Sequence, residues 1–273
     1  MRPSERPVVI VTGASKGIGA ATARWLASHA DVVMVARSRE KLEALANVIE
    51  GHGGSARVVP ADLAASDAGS RVVEHTVAHF GRLDSLVNNA GTIEPIAAVA
   101  SGSPAAWRDN LALNLFAPVE LCRSAIPHLR QQRGRIVNVS SGAAILPIHS
   151  ASAYCAAKAA LNHFTRVLAE EEPSITAMCL RPGVVDTDMQ GVIRTLGPGV
   201  MPAHQSDYYQ ELKQSGKLEP PEIPGRVVAW LALQAPRKYS GEFLRYDNNE
   251  ISAAAMEFFG DRPGAPSTGA ETV

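Results

Sequence analysis

Val8-Val9-Ile10-Val11-Thr12-Gly13-Ala14-Ser15-Lys16-Gly17-Ile18-Gly19 decides the fold of this 273-residue chain. Val8 to Val11 form an unbroken run of β-branched apolar residues. Such a run reads as a strand buried on both faces, as in a parallel sheet. Three glycines follow, and then a helical stretch through Trp25 and Leu26. At a strand-to-helix junction each glycine has a physical task. Gly13 permits a tight turn, Gly17 lets the backbone come close to a ligand, and Gly19 lets the helix pack near the strand. The helix N-terminus then presents unpaired N–H groups, suited to a pyrophosphate. The strand–loop–helix context separates this triplet from an ordinary glycine-rich turn.

The same rhythm continues outward. Residues 32–36 are a second apolar run, about 20 residues after the loop, where dinucleotide folds often place an acid for the adenosine ribose. Here the chain reads Ala36-Arg37-Ser38. An arginine fork at a strand end suits a 2′-phosphate, and Lys16 would add a second positive charge. The competing reading makes Arg37 and Lys16 plain surface charges. Both being present, with no acid at Ala36, favours NADP over NAD. Residues 39–50 have helical spacing, 57–63 read as a third strand, 66–80 as a helix and 83–87 as a fourth strand. Asp62 either accepts from the adenine amino group or caps the next helix. The fourth strand ends in Asn88-Asn89-Ala90-Gly91, at the strand end where ligands bind in such sheets.

Residues 104–132 carry one long helical pattern with Asn114 between Leu113 and Leu115. An asparagine in so apolar a setting needs a partner, structural or functional. Residues 135–139 are a fifth strand ending in Ser140-Ser141-Gly142. A helix over 153–171 follows, with Tyr154 and Lys158 one turn apart on one face. Residues 176–180 are a sixth strand, ending near Thr187. Residues 189–220, broken by Pro198, Pro202 and several glycines, read as a substrate lid or a peripheral insertion. A helix over 221–233 and a strand over 241–246 close the pattern. Strands alternate with helices throughout. The fold class is therefore α/β, a single doubly wound Rossmann-type domain over residues 1–250 with a mostly parallel seven-stranded sheet. Residues 260–273, rich in Pro, Gly, Ser and Thr, read as a disordered tail.

A net charge of −1 with no basic run argues against nucleic acid as a partner. Cys122, Cys155 and Cys179 lie far apart in apolar or alanine-rich surroundings. They show neither metal spacing nor a disulfide framework, and read as buried thiols in a reducing compartment. Residues 1–7 are short and polar, unlike a signal peptide, and no stretch reaches the ~20 apolar residues of a membrane span. A cytoplasmic protein is the expectation.

Taken together, Thr12 to Gly19, Asn88-Asn89-Ala90-Gly91, Asn114, Ser141, Tyr154 with Lys158, and Pro182-Gly183 with Thr187 resemble the short-chain dehydrogenase/reductase family in order and spacing. Within it, the chain is similar to the benzil reductases that form (S)-benzoin and to sepiapterin reductases. That finer resemblance rests on Ser140 to Ala143, Lys158 to Phe164, Glu171 to Ser174, Pro182 to Gln190 and Tyr239 to Asp247.

The resemblance implies hydride transfer between a nicotinamide and a carbonyl or alcohol carbon. It makes Tyr154 the proton donor and Lys158 the charge that lowers its pKa while holding the nicotinamide ribose. Ser141 would place the carbonyl oxygen, and Asn114 would hold a water leading from Lys158 to solvent. The implied cofactor is NADP(H), touched by Gly13, Ser15, Lys16, Ile18, Arg37, Asp62, Asn89, Tyr154, Lys158 and Thr187. Substrate walls would come from Ile145, Leu146, Val184, Val185, Met189, Met201 and Tyr208, an apolar lining suited to a small hydrophobic carbonyl compound. His149 would meet a polar substrate group or serve the structure. A pterin reductase and a catalytically silent dinucleotide sensor are the competing functions. A homodimer through the helices over 104–132 and 153–171 is compatible with the family.

Overall fold

Seven parallel strands form the spine of the molecule, in a computed structural model that describes residues 4–263. They are β1 (Val8–Thr12), β2 (Asp31–Ala36), β3 (Ser55–Pro60), β4 (Ser85–Asn88), β5 (Arg135–Val139), β6 (Thr176–Arg181) and β7 (Phe243–Arg245). Their order is β3-β2-β1-β4-β5-β6-β7, and every neighbouring pair runs parallel. The chain moves outward from β1 to β3 and then returns to place β4 on the other side of β1. The crevice above that switch point, at the carboxyl ends of β1 and β4, is where such sheets bind ligands.

Alternation along each strand builds the two cores. Val9, Val11, Val32, Met34, Val137 and Met178 face one side. They pack against α1 (Gly17–Leu26), α2 (Arg39–Gly51) and two later helices, α9 (Glu222–Gln234) and α10 (Asn249–Phe259). Val8, Ile10, Val33, Leu86 and Ile136 face the other side, against α3 (Ala68–Phe80), α5 (Ala117–Gln132) and α6 (Ser152–Glu171). A period of two with apolar residues on both faces is what buries a sheet between two helical layers.

Three features depart from the sequence reading. The single helix expected over 104–132 is three pieces: α4 (Pro104–Leu111), a π-helical turn (Ala112–Phe116) and α5. The irregular segment expected over 189–220 contains two regular helices, α7 (Asp188–Leu196) and α8 (Ala203–Gln214). Helix α10 follows β7, where no element was expected. Asn248 caps it by accepting from Glu250 N–H and Ile251 N–H, and Ile251, Ala255 and Phe259 seat it against the core. Of the tail expected over 260–273, residues 264–273 lie outside the described residues.

Candidate active site

Helix α6 carries the central pair, and a buried polar ladder fixes its height above the sheet. Asn88 Nδ2 donates to Asn138 Oδ1 at 2.8 Å, and Asn138 Nδ2 donates to Thr165 Oγ1 at 2.8 Å. Thr165 Oγ1 in turn donates to Leu161 O within α6. Two residues beyond Asn138, just past the end of the same strand, Ser140 Oγ donates to Asn162 Oδ1 at 2.6 Å. Polar groups this deep hold one arrangement, because leaving one unpaired costs about 1–3 kcal/mol. The result sets Tyr154 and Lys158 above the end of β5, where Lys158 Nζ donates to Val139 O at 2.8 Å. Nζ lies 5.6 Å from the centre of the Tyr154 ring.

Both side chains are buried, Tyr154 at 6% exposure and Lys158 at 4%. Burial disfavours their charged forms. It pushes the Tyr154 phenol up to about 12, against a smaller opposing pull from the Ser141 hydroxyl. It drives the Lys158 ammonium down to about 8. The expectation that Lys158 depresses the phenol is therefore not met in the chain alone. Loss of hydration dominates at the phenol, and it also holds the lysine less firmly as a cation. A neutral phenol is nonetheless the form that a proton donor needs.

Ser141 stands at the start of a short 3-10 turn (Gly142–Ala144). Its Oγ accepts from Ala143 N–H at 3.1 Å, which leaves its own O–H proton to give away. Asn114 is fully buried in the π-helical turn. Its Nδ2 donates to Thr92 O at 2.8 Å and to Asn110 O at 3.0 Å, and its Oδ1 accepts from Thr92 N–H at 3.2 Å. The side-chain amide thus braces the loop after β4. The i+4 position from the Asn114 carbonyl is Pro118, which has no N–H to offer it. A Cβ on Gly91 would sit 2.7 Å from Asn114 Oδ1 and 3.8 Å from Lys158 Nζ, so Asn114 and Lys158 border one small space.

At the other end of the cleft the glycine loop forms a cradle. Gly13 has φ +66°, and a Cβ there would meet Asn89 Nδ2 at 2.8 Å and Ala90 Cα at 2.9 Å. Gly17 has φ +54° and packs on Thr187. Asn89 Nδ2 donates to Thr12 O at 2.9 Å, so this expected cofactor contact braces the loop. Lys16 precedes α1 without a side-chain cap, leaving the helix N–H groups open near Ser15 and Ile18. Asp62 does neither thing expected of it alone: Oδ1 accepts from Ala64 N–H at 3.1 Å and caps a turn, while the residue also lines the cleft.

The charges at this end are arranged differently from the sequence reading. Lys16 Nζ, expected to lend its charge to the same phosphate as Arg37, pairs with Asp188 Oδ2 at 2.7 Å. Both groups are more than half exposed, and such a pair is worth about 0–1 kcal/mol. Arg37 is exposed at the end of β2, and Lys41, one turn into α2, lines the same cleft. Lys41 was missed in the sequence. Its signal was the i+4 spacing from Arg37, and its charge also helps hold the Asp188 carboxyl below its usual range.

One cavity of about 600 Å³ joins the glycine loop to Ser141, Tyr154 and Lys158. Its size matches a cofactor and small-molecule site. The glycine cradle, the open α1 N-terminus and the cationic rim fit a nicotinamide dinucleotide. Beyond Tyr154 the lining is apolar, with Ile93, Ile148, Met189 and Ile193 from the loops and α7. Leu146, Val184 and Val185 line it as expected, whereas Ile145 and His149 do not. Met201 supports the wall from behind, buried in the same cluster as Tyr154. Two bonds dock the α7–α8 segment onto the loop before α6: Ser150 Oγ donates to Val200 O at 2.7 Å, and His149 N–H donates to Gln205 Oε1 at 3.1 Å. Tyr208, named from the sequence, is half-exposed at the rim. Its neighbour Tyr209 is the buried one.

Comparison with known proteins agrees with this geometry. Residues 7–196 match the family model for short chain dehydrogenase. An uncharacterized oxidoreductase of Schizosaccharomyces pombe is 39% identical over 248 residues, covering 90% of this chain and 98% of that protein. Benzil reductase ((S)-benzoin forming) of Saccharomyces cerevisiae is 35% identical over 257 residues, covering 89% of this chain and 97% of its own. Among solved structures, the KRED1-Pglu enzyme superposes with a TM-score of 0.83 at 40% identity, covering 87% of this chain and 99% of that one. A metagenomic short-chain oxidoreductase in complex with NADP superposes with a TM-score of 0.71 at 35% identity, covering 88% and 96%. The chain belongs to the short-chain dehydrogenase/reductase family of oxidoreductases.

Proposed function

We propose that the chain reduces a hydrophobic ketone or diketone to the alcohol with NADPH, benzil to (S)-benzoin being the reaction to try first. The carrying observation is that Ser141, Tyr154 and Lys158 converge in one cavity whose near end is a phosphate cradle and whose far end is apolar. A dinucleotide would be held by the open N–H groups of α1, by Ser15 and Ile18, by Thr187 against Gly17, and by Arg37 and Lys41 at its 2′-phosphate. The nicotinamide supplies the hydride that reaches the carbonyl carbon.

The chain's own residues handle the proton. Tyr154 Oη gives its proton to the carbonyl oxygen, and burial keeps that phenol protonated until the substrate draws it off. Ser141 donates its free O–H to the same oxygen and sets its distance from Tyr154. Lys158 returns a proton toward Tyr154, helped by an ammonium softened to a pKa of about 8. The space bordered by Asn114 and Lys158 suits a water that refills the lysine. Helices α7 and α8 form the lid over the apolar end and exclude bulk water.

Two observations favour NADPH over NADH and benzil over a pterin. Arg37 carries no ion pair among the described residues, and residue 36 is alanine where an acid would hold an unphosphorylated ribose. The two acids lining the cavity are Asp62, which caps a turn, and Asp188, which pairs with Lys16. Neither offers a free acidic anchor for a pterin ring. The exposed apolar side chains of Phe116 and Val167 favour a homodimer through the helices over 104–132 and 153–171, which sedimentation velocity would test. For the reaction itself, kcat/KM with benzil should be higher for NADPH than for NADH, with (S)-benzoin on chiral analysis. A preference for NADH would overturn the cofactor assignment. Absence of (S)-benzoin would overturn the substrate.

A further inference from the structure

Tyr209 lies on the inner side of α8, buried at 7% exposure in the same apolar cluster as Tyr154, Ile93 and Ile193. Its ring meets Tyr208 edge-on, with centroids 5.4 Å apart. It lines the cavity with Tyr154. Its hydroxyl forms no hydrogen bond to another described residue and is not fully buried, on a residue that lines the cavity. A buried tyrosine hydroxyl ordinarily finds a partner. Here the open space in front of it is the substrate end of the cleft.

We infer that Tyr209 donates a hydrogen bond to a second oxygen of the substrate, adjacent to the carbonyl that Tyr154 protonates, so that the site prefers vicinal dicarbonyl compounds to simple ketones. This deepens the proposed carbonyl reductase function and rests on it. The phenol is suited to the task. Burial raises its pKa, so it stays a donor throughout the neutral range. It is also close enough to Tyr154 to act on that residue's ionisation, which puts the two phenols at one end of one pocket. Two donors spaced along a ligand select for two acceptors. A mono-ketone would leave the Tyr209 hydroxyl unpaired in an apolar wall, which is the basis of rejecting an analogue that lacks the matching group.

The test uses benzil and deoxybenzoin, which share a skeleton but differ by the second carbonyl. Tyr209→Phe removes only the hydroxyl, and because that hydroxyl has no protein partner the variant keeps its fold. With NADPH, kcat/KM for benzil should fall about tenfold, as expected for one neutral hydrogen bond. The value for deoxybenzoin should hold or rise, since the variant no longer leaves a hydroxyl unpaired against it. A merely structural role would lower both equally. An unchanged benzil-to-deoxybenzoin ratio in a working enzyme would overturn the Tyr209 assignment alone. A wild-type protein that turns over neither ketone would overturn the proposed function and this inference with it.

Discussion

Lys158→Met should make the protein more stable at neutral pH while removing its activity. Burial lowers the Lys158 pKa from its ordinary 10.5 to about 8. The unfolded chain therefore binds this proton more tightly than the native one. Below pH 8 the lysine is charged in both states, and the native state carries the full penalty. At ~1.4 kcal/mol per tenfold change in proton affinity, that penalty is on the order of 3 kcal/mol. It shrinks as pH rises from 8 to 10.5, reaching roughly 1.5 kcal/mol at pH 9.5, because the native lysine is then already neutral. Methionine matches the length and stays apolar, but it forfeits the bond from Nζ to Val139 O, worth about 1 kcal/mol. The net expectation is a gain of about 2 kcal/mol at pH 7 that falls to near zero at pH 9.5. Urea denaturation of both proteins at the two pH values measures it. A destabilised variant at pH 7, or a gain that does not depend on pH, would refute the reasoning. The trade is the usual one at active sites, where a group kept for chemistry lowers stability.

Other outcomes follow from the cradle and its rim. Gly13→Ala forces a side chain onto φ +66° and into Ala90 Cα and Asn89 Nδ2. It should lower stability by about 2–3 kcal/mol and weaken NADPH binding, measurable by denaturation and by fluorescence titration. Arg37→Ala and Lys41→Met should each raise KM for NADPH about tenfold, with little change for NADH, as expected for loss of one charge-assisted phosphate contact. Asp188→Asn frees Lys16 from its 2.7 Å ion pair. It should change stability by less than about 1 kcal/mol and tighten NADPH binding, most visibly at low salt in a titration series.

The sheet was legible because its signal is redundant. Runs such as Val8 to Val11 and Val32 to Val35 are apolar on both faces, and each is followed by turn residues and a helical period. The chemistry-bearing residues at the strand ends followed from that order. The rest depended on tertiary partners that a linear reading does not weigh. The break at 112–116 arises because Asn114 bonds to Thr92 and Asn110 and because Pro118 supplies no N–H. Asn110, Asn114 and Pro118 were visible, but their joint meaning needs the loop after β4. Helix α10 had its cap at Asn248 and its spacing at Ile251, Ala255 and Phe259, yet the Pro- and Gly-rich end that follows masked it. In α8, Tyr208 and Tyr209 are adjacent in sequence, and only the docking through His149 and Ser150 decides which faces the cleft. Likewise Lys16 has the right charge for a phosphate, but Asp188 reaches it from a segment 172 residues away.

Tyr154→Phe tests the central claim most directly. The substitution keeps the buried ring and removes the single proton that the account assigns to the carbonyl oxygen. NADPH binding by fluorescence should stay within about twofold of wild type, because neutral hydrogen bonds away from the cradle contribute little to it. NADPH oxidation with benzil should fall by at least about a hundredfold, the lower bound for loss of a positioned general acid. Benzil turnover at the wild-type rate in a variant that binds NADPH normally would contradict the account.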